Sequence, residues 1–259
     1  MHGLVAVDWH VIWQQVFHPD HILFRTLWAT VYIAVASQAL GVLLGLLAAL
    51  ARMSRFALLR WISGIYVWIF RGTPLLVQIF YIYFAFSWPT FDFGIWTVSD
   101  AAIAGIVALS IEGAYMREII RAGIDSVDRG QMEAAKSVGM TYGKAMRRII
   151  LPQAARVIVP PLGNEFNNML KNTALLFTIG VFELFAFSEQ NYSQFFIADY
   201  FLAIAVWYLM LTTVWTFIQA YIERRLAVSE RGDALSFRER LELAWNPVGT
   251  LTRMGRRPS

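Results

Sequence analysis

Cysteine is absent from the 259-residue chain, which excludes a disulfide framework, a thiolate nucleophile and a cysteine-ligated metal site. The four histidines all lie within the first 21 residues, so the rest of the chain has no histidine-based catalytic centre. Charged residues make up only 15%, against roughly 25% in soluble domains. The low charge excludes a disordered or nucleic-acid-binding tail protein. A membrane enzyme would need a set of catalytic residues, and histidine and cysteine do not provide one here.

Apolar residues, by contrast, make up 58% of the chain and are grouped in long runs. A membrane span needs about 20 predominantly apolar residues. We therefore predict an all-α integral membrane protein with five transmembrane helices. The predicted spans cover residues 22–50, 57–88, 101–120, 157–187 and 200–222.

The positions of the basic residues predict the orientation of these spans. Of the 22 lysines and arginines, all but Arg25, Arg71 and Lys171 follow the first span, surround the loop 121–156 or lie after the last span. The segments 1–20, 89–100 and 188–199 contain none. The positive-inside rule then places the N-terminus outside and the C-terminus inside.

The second span is too long for one straight helix, because residues 57–88 would extend about 50 Å across a hydrocarbon core of about 30 Å. We expect one crossing, broken near Gly72-Thr73-Pro74. Thr73 followed by Pro74 predicts the N-cap and first position of a second helical piece.

The loop 121–156 is the largest polar segment between spans, and it predicts a short helix over 131–138 followed by Gly139. Ala134 and Ala135 would let this helix settle closely on another surface, and Gly139 can adopt the left-handed conformation after a helix. From the residues alone, a membrane-surface helix with basic side chains on lipid headgroups fits equally well.

Three motifs resemble a known family. The first is Glu133-Ala134-Ala135, then three residues, Gly139, nine residues, Ile149, one residue and Leu151-Pro152. This pattern resembles the EAA loop of ABC importer permeases. The segments Arg71 to Gln78 and Ala114 to Glu118 are similar to the polar amino acid branch, the histidine/glutamine permease type.

The resemblance covers about residues 22–226 and implies a type I ABC importer transmembrane domain, with 1–21 outside the membrane and 227–259 as a cytoplasmic tail. It implies a multi-pass protein of the bacterial cytoplasmic membrane. Its partners would be two cytoplasmic ATP-binding subunits, a second permease subunit (identical or homologous) and an extracytoplasmic substrate-binding protein. The EAA loop would be the coupling helix, seated in the ATPase through Glu133, Ala134, Ala135 and Gly139.

The chain itself is not expected to hydrolyse ATP, so ATP and Mg²⁺ would be bound by the partner ATPase. The segment Gly139 to Ala145 has three residues between its glycines and alanine after Lys144. A phosphate-binding P-loop needs four residues there and serine or threonine after the lysine.

Ionisable residues inside spans are costly, so each is a candidate for function. Glu112 and Tyr115, one turn apart in the third span, would either meet a substrate ammonium group or form a packing hydrogen bond. Arg71 with the helix start at Thr73 would either attract a substrate carboxylate or snorkel to the interface.

The fourth span carries a polar stripe of Asn164, Asn168 and Lys171, opposite Leu162, Phe166 and Leu170. Such a stripe cannot face lipid, so we expect it to line a partner subunit or a wet pathway. Where the family usually reads Lys-Asp-Thr-Ser-Leu, this chain has Asn172 and Ala174 in place of the acid and the hydroxyl. In the first span, Gly41 and Gly45 predict close helix packing.

The sequence thus predicts the permease subunit of an importer for polar amino acids. A same-family importer of another small solute (an opine, cystine or an amino-acid-like osmolyte) remains the main alternative. A self-contained channel is a weaker one, because a channel needs no docking helix.

Overall fold

The computed structural model describes residues 7–94 and 97–227, so the predicted tail 227–259 lies outside the described residues except for its first position. The described chain is helical apart from one short antiparallel hairpin, in which Phe91 pairs with Val98. Its elements are α1 (Trp9–Phe17), α2 (His21–Met53), α3 (Ala57–Gly72), α4 (Leu75–Ala85), β1 (Phe91–Asp92), β2 (Thr97–Val98), α5 (Asp100–Ser110), α6 (Gly113–Asp125), α7 (Arg129–Ser137), α8 (Tyr142–Ala145), a π-helical turn (Met146–Ile150), α9 (Leu151–Asn172), a 3₁₀ helix (Thr173–Ile179), α10 (Leu184–Phe195) and α11 (Asp199–Ala227).

Two helices, α2 and α11, are long and apolar enough to cross a membrane by themselves. Two further pairs reach that length only as bent units, with 107° between α3 and α4 and 46° between Tyr142–Ile179 and α10. The described residues therefore contain up to four spans if each bent pair is one crossing. The number of crossings and the orientation stay predictions.

The predicted spans differ from the observed helices in the middle of the chain. The third, 101–120, is not one helix: α5 ends at Ser110 and α6 begins at Gly113. Ile111 and Glu112 keep helical torsions but form tight turns, with the Glu112 N–H donating to the Leu109 carbonyl at 3.1 Å. The Tyr66 hydroxyl, from α3, donates to the Ile111 carbonyl at 3.0 Å and so occupies an acceptor at this junction.

The fourth predicted span, 157–187, also runs across a helix end. The helical path stops at Ile179, because Gly180 adopts a left-handed backbone with φ of 88°. A new helix, α10, then begins inside the predicted range at Leu184, with Glu183 as its N-cap. Hydropathy alone does not separate these two helical segments, because both are apolar.

The core is built around the contact between α2 and α6, where glycines allow the backbones to approach. A Cβ atom on Gly45 would lie 2.8 Å from the Met116 Cβ and 2.9 Å from the Gly113 carbonyl oxygen. One on Gly113 would overlap the Gly41 carbonyl oxygen. The predicted packing role of Gly41 and Gly45 is confirmed, and Gly113 completes it from the opposite helix.

Around this contact, a buried apolar cluster joins α2, α4, α5, α6, α9 and the 3₁₀ helix; its largest members include Ile33, Ile79, Leu109, Met116, Leu170 and Leu176. The outside of the same helices carries many exposed large apolar side chains. Such extensive apolar surface is typical of contact with lipid or partner subunits.

The glycine contact generates a stability prediction. Gly45→Ala should destabilise the purified protein in detergent by about 1–3 kcal/mol, because the added methyl group overlaps the backbone and side chains of α6. Gly64→Ala in α3 is the matched control, since nothing lies within 4 Å of its added Cβ. The control should be neutral or slightly stabilising, as alanine is the better helix former. Equal unfolding midpoints for the two variants would contradict the packing account.

Candidate functional site

The junction between α3 and α4 is closed by the side chain of Gln78. Its amide nitrogen donates to the Phe70 and Thr73 carbonyls, both at 3.0 Å, and to the Thr73 hydroxyl at 2.9 Å. The predicted break is confirmed, but the predicted capping is wrong by one residue. Thr73 ends α3, its hydroxyl donating to the Ile69 carbonyl, and Pro74 is the N-cap of α4 without a side-chain cap.

Arg71, at the end of α3, reaches across to α6. Its guanidinium carbon lies 4.9 Å from the centre of the Tyr115 ring, a cation–π contact. Both side chains are exposed in the single chain. In the sequence, Arg71 belongs to one candidate substrate site and Tyr115 to another, and the structure brings the two side chains together.

Glu112 lies one tight turn before Tyr115, and its carboxylate is hydrogen-bonded to a side chain of α9. The Asn172 amide donates to both carboxylate oxygens of Glu112, each at 3.2 Å. Sequence reasoning noted Asn172 only as a departure from the family's acidic residue. The amide has an identifiable role here, because it can donate to the carboxylate, whereas an ionised acid could not.

The polar stripe of α9 is exposed, as expected for a surface that meets a partner or a wet cavity. Asn164, Asn168 and Lys171 are all classed as exposed in the single chain. The structure does not bring all three into one cluster, because the Asn164 side chain contacts α11, accepting from the Gln219 amide at 3.3 Å. Across the described residues, Lys171 has no ion pair.

The arrangement therefore places the Arg71 guanidinium and the Glu112 carboxylate beside an exposed polar helix face that itself carries Lys171. We call Arg71, Glu112, Tyr115 and Asn172 the polar cluster. Arg71 can donate to a carboxylate in a bidentate manner, and Glu112 can accept from an ammonium group. Such a pair is chemically suited to a zwitterionic solute.

The predicted helix of the polar loop is α7, which begins two residues before the predicted start because Asp128 caps it. The Asp128 carboxylate accepts from the Gly130 N–H at 2.6 Å. At the other end, Gly139 has φ of 79° and donates to Lys136, while Met140 donates to Ala135. These two bonds form a Schellman motif, so the predicted left-handed glycine after the helix is confirmed.

The four candidate coupling residues do not share one surface. Glu133, Ala134 and Gly139 are exposed, whereas Ala135 is 2% exposed and packs within the chain. The Ala135 side chain thus lies on the inner face of α7, where its small size lets α7 pack on the chain behind it, and the seating of these residues in a partner stays a prediction. Sequence reasoning missed Val138, which is 77% exposed beside Gly139. An apolar residue next to the glycine of a polar loop was the available signal.

Glu183 is a second residue that sequence reasoning missed. Its side chain is fully buried. The carboxylate accepts hydrogen bonds from the Ala186 N–H at 2.8 Å, from the Tyr208 hydroxyl at 2.7 Å and from the Thr30 hydroxyl at 3.4 Å. Glu183 thus caps α10 and ties it to α2 and α11. A carboxylate just before an apolar helix was the available signal, but its partners are distant in sequence.

Interrupted apolar helices together with a short helix in a polar loop are typical of a transmembrane subunit of a transport system. Residues 41–228 match the family model described as "Binding-protein-dependent transport system inner membrane component". The chain therefore belongs to this family, and the resemblance to ABC importer permeases is confirmed.

Individual relatives agree with the family assignment. The chain is 40% identical over 226 residues to the L-cystine transport system permease protein TcyB of Bacillus subtilis, covering 85% of this chain and 92% of that one. It is 34% identical to the glutamine transport system permease protein GlnP of Escherichia coli, covering 85% and 98%. Its fold matches a crystal structure of an amino acid ABC transporter with histidines at a TM-score of 0.72 and 36% identity, covering 85% and 100%. The type I importer fold is confirmed.

The contact between Asn172 and Glu112 generates a second prediction. Asn172→Leu should destabilise the purified protein by about 1–3 kcal/mol, because the part-buried carboxylate loses its donor. Asn168→Leu is the control on the same helix, where the described structure shows no hydrogen bond for the side chain. Thermal unfolding in detergent measures both. If Asn172→Leu still costs the full amount after Glu112→Ala, the two side chains are not coupled and the interpretation fails.

Proposed function

We propose that this chain is the permease subunit of an ATP-driven importer that moves polar amino acids across the bacterial cytoplasmic membrane. The observation that carries the proposal is the polar cluster, which offers one cation and one carboxylate at two neighbouring helix breaks. The relative named for glutamine supports this solute class, and the relative named for L-cystine supports the alternative of another small solute within the same family. The 40% identity to an L-cystine permease makes cystine a specific candidate within it.

The proposed topology has five crossings, with the N-terminus outside and the C-terminus inside. It is supported by the concentration of basic residues around the loop 121–156 and after the last span. This orientation puts α7 in the cytoplasm, where an ATPase can reach it. The extracytoplasmic face would receive substrate from a separate binding protein.

Coupling is proposed to be mechanical. Two ATP-binding subunits bind and hydrolyse ATP with Mg²⁺, and this chain binds neither. Glu133, Ala134 and Gly139, together with Val138, form the exposed contact of α7, while Ala135 anchors α7 to the rest of the chain. Movement of the ATPase would then be transmitted through α7 to the start of α9.

Substrate passage is proposed along the exposed polar face. Arg71 would bind the α-carboxylate and Glu112 the α-ammonium group, with Tyr115 fixing the position of Arg71. Asn168 and Lys171 would continue the polar face towards a second permease subunit, identical or homologous, which closes the pathway. When the helices tilt, the residues on the two sides of each helix break would move apart.

The coupling proposal predicts that Gly139→Asp abolishes most transport without preventing folding. Aspartate tolerates the left-handed backbone better than most residues, but it adds a charge to the docking surface. We expect ATPase activity stimulated by the binding protein, in proteoliposomes of the assembled transporter, to fall at least about tenfold. Gly143→Asp is the control, being exposed with nothing within 4 Å of its Cβ position. Normal stimulation in Gly139→Asp would contradict the role of α7.

The substrate proposal predicts that Arg71→Gln and Glu112→Gln each lower uptake of the transported amino acid by about tenfold or more, since each removes a charge-assisted hydrogen bond. Uptake of radiolabelled amino acids into proteoliposomes measures this. Arg55→Gln is the control, because its guanidinium lies over the Phe56 ring, away from the polar cluster. Uptake equal to wild type in both cluster variants would exclude the cluster from the pathway.

A further inference from the structure

A groove lies between the end of α2 and the exposed face of α3, apart from the polar cluster and from α7. It encloses about 550 Å³. Its lining residues are Arg52, Arg60, Trp61, Gly64, Ile65 and Trp68. We call it the Arg–Trp groove, and the proposed transport mechanism does not use it.

One end of the groove is cationic. Arg52 lies exposed in the last turn of α2, and among the described residues it has no hydrogen bond or ion pair through its side chain. Arg60 is fixed in place, its Nη1 donating to the Ser54 and Arg55 carbonyls at 3.1 and 2.9 Å. The chain has no aspartate or glutamate between Asp20 and Asp92, so α2, α3 and α4 offer these arginines no counter-charge.

The other end is apolar and open. Trp61 and Trp68 are 71% and 77% exposed, and with Ile65 they follow one face of α3 at helical spacing. Between them, Gly64 leaves the floor clear, since nothing lies within 4 Å of a Cβ placed there. From Arg60 to Trp68 the helix rises about 12 Å, which is enough to accommodate much of one acyl chain.

We propose that the Arg–Trp groove binds an anionic phospholipid. The lipid phosphate contacts Arg52 and Arg60, and one acyl chain lies over Gly64 between Trp61 and Trp68. Two guanidinium groups that form no ion pair among the described residues, beside an apolar channel, match the two halves of such a lipid, and cations at a membrane surface attract anionic headgroups. A zwitterionic headgroup fits less well, because its ammonium group would lie near the same two arginines and be repelled by them.

Native mass spectrometry of the full chain, purified in mild detergent with the subunits that accompany it, tests the proposal. The protein is titrated with phosphatidylglycerol or with phosphatidylcholine of the same acyl chains. Wild type should retain phosphatidylglycerol in preference. Arg52→Ala should weaken that binding about fivefold and leave phosphatidylcholine unchanged. Gly64→Leu, which fills the floor without removing a charge, should weaken it as well.

Matched controls come from the same segment. Arg55→Ala removes a neighbouring cation outside the groove lining, and Gly72→Leu adds the same side chain at another open glycine of α3. Both should bind phosphatidylglycerol as wild type does. These readouts do not depend on transport, so they are independent of the importer proposal.

Three results would overturn the proposal. Equal phosphatidylglycerol binding by wild type, Arg52→Ala and Gly64→Leu would show that no lipid lies in the groove. Displacement of the lipid by inorganic phosphate at similar concentration would indicate a plain anion site. A photo-crosslinking residue in place of Trp61 that joins a second copy of the chain in intact membranes would make the groove a subunit interface.

Discussion

The requirement that backbone polar groups be satisfied away from water is the constraint on which this structure depends. The chain interrupts its apolar helices repeatedly, and at three of these interruptions a side chain supplies a hydrogen bond. Gln78 closes the junction of α3 and α4, Tyr66 reaches the junction of α5 and α6, and Glu183 caps α10. Around Pro160 and Pro161 inside α9, the Gln38, Trp215 and Gln219 side chains donate to nearby backbone carbonyls.

These closures explain why polar side chains from different helices gather at the breaks. A helix end gives up regular hydrogen bonding and brings side chains of different helices to one place, as with Arg71 on Tyr115 and Asn172 on Glu112. The region beside them is closely packed, because α2 and α6 meet through glycine. A closely packed pair of helices next to interrupted ones suits a subunit that must move without unfolding.

The sequence predicted those features that depend on local pattern. The break near Thr73, the left-handed Gly139 and the glycine contact of α2 each follow from residue type and spacing. Long-range partners could not be predicted in this way. Arg117, counted as a cytoplasmic surface charge, is 6% exposed and donates to Ser63 in α3, with Glu118 as its ion-pair partner. Likewise, hydropathy detects the apolar run through Gly180 but not the backbone turn at that glycine. The fourth predicted span therefore crosses a helix end.

We propose that this chain moves solutes only as part of an assembly whose energy comes from a separate ATPase. The most direct measurement is a pull-down of the tagged full chain from its native membranes in mild detergent, followed by identification of the bound proteins. We expect recovery of an ATP-binding subunit and of an extracytoplasmic substrate-binding protein that binds radiolabelled amino acids. Recovery of the chain with neither partner would contradict it.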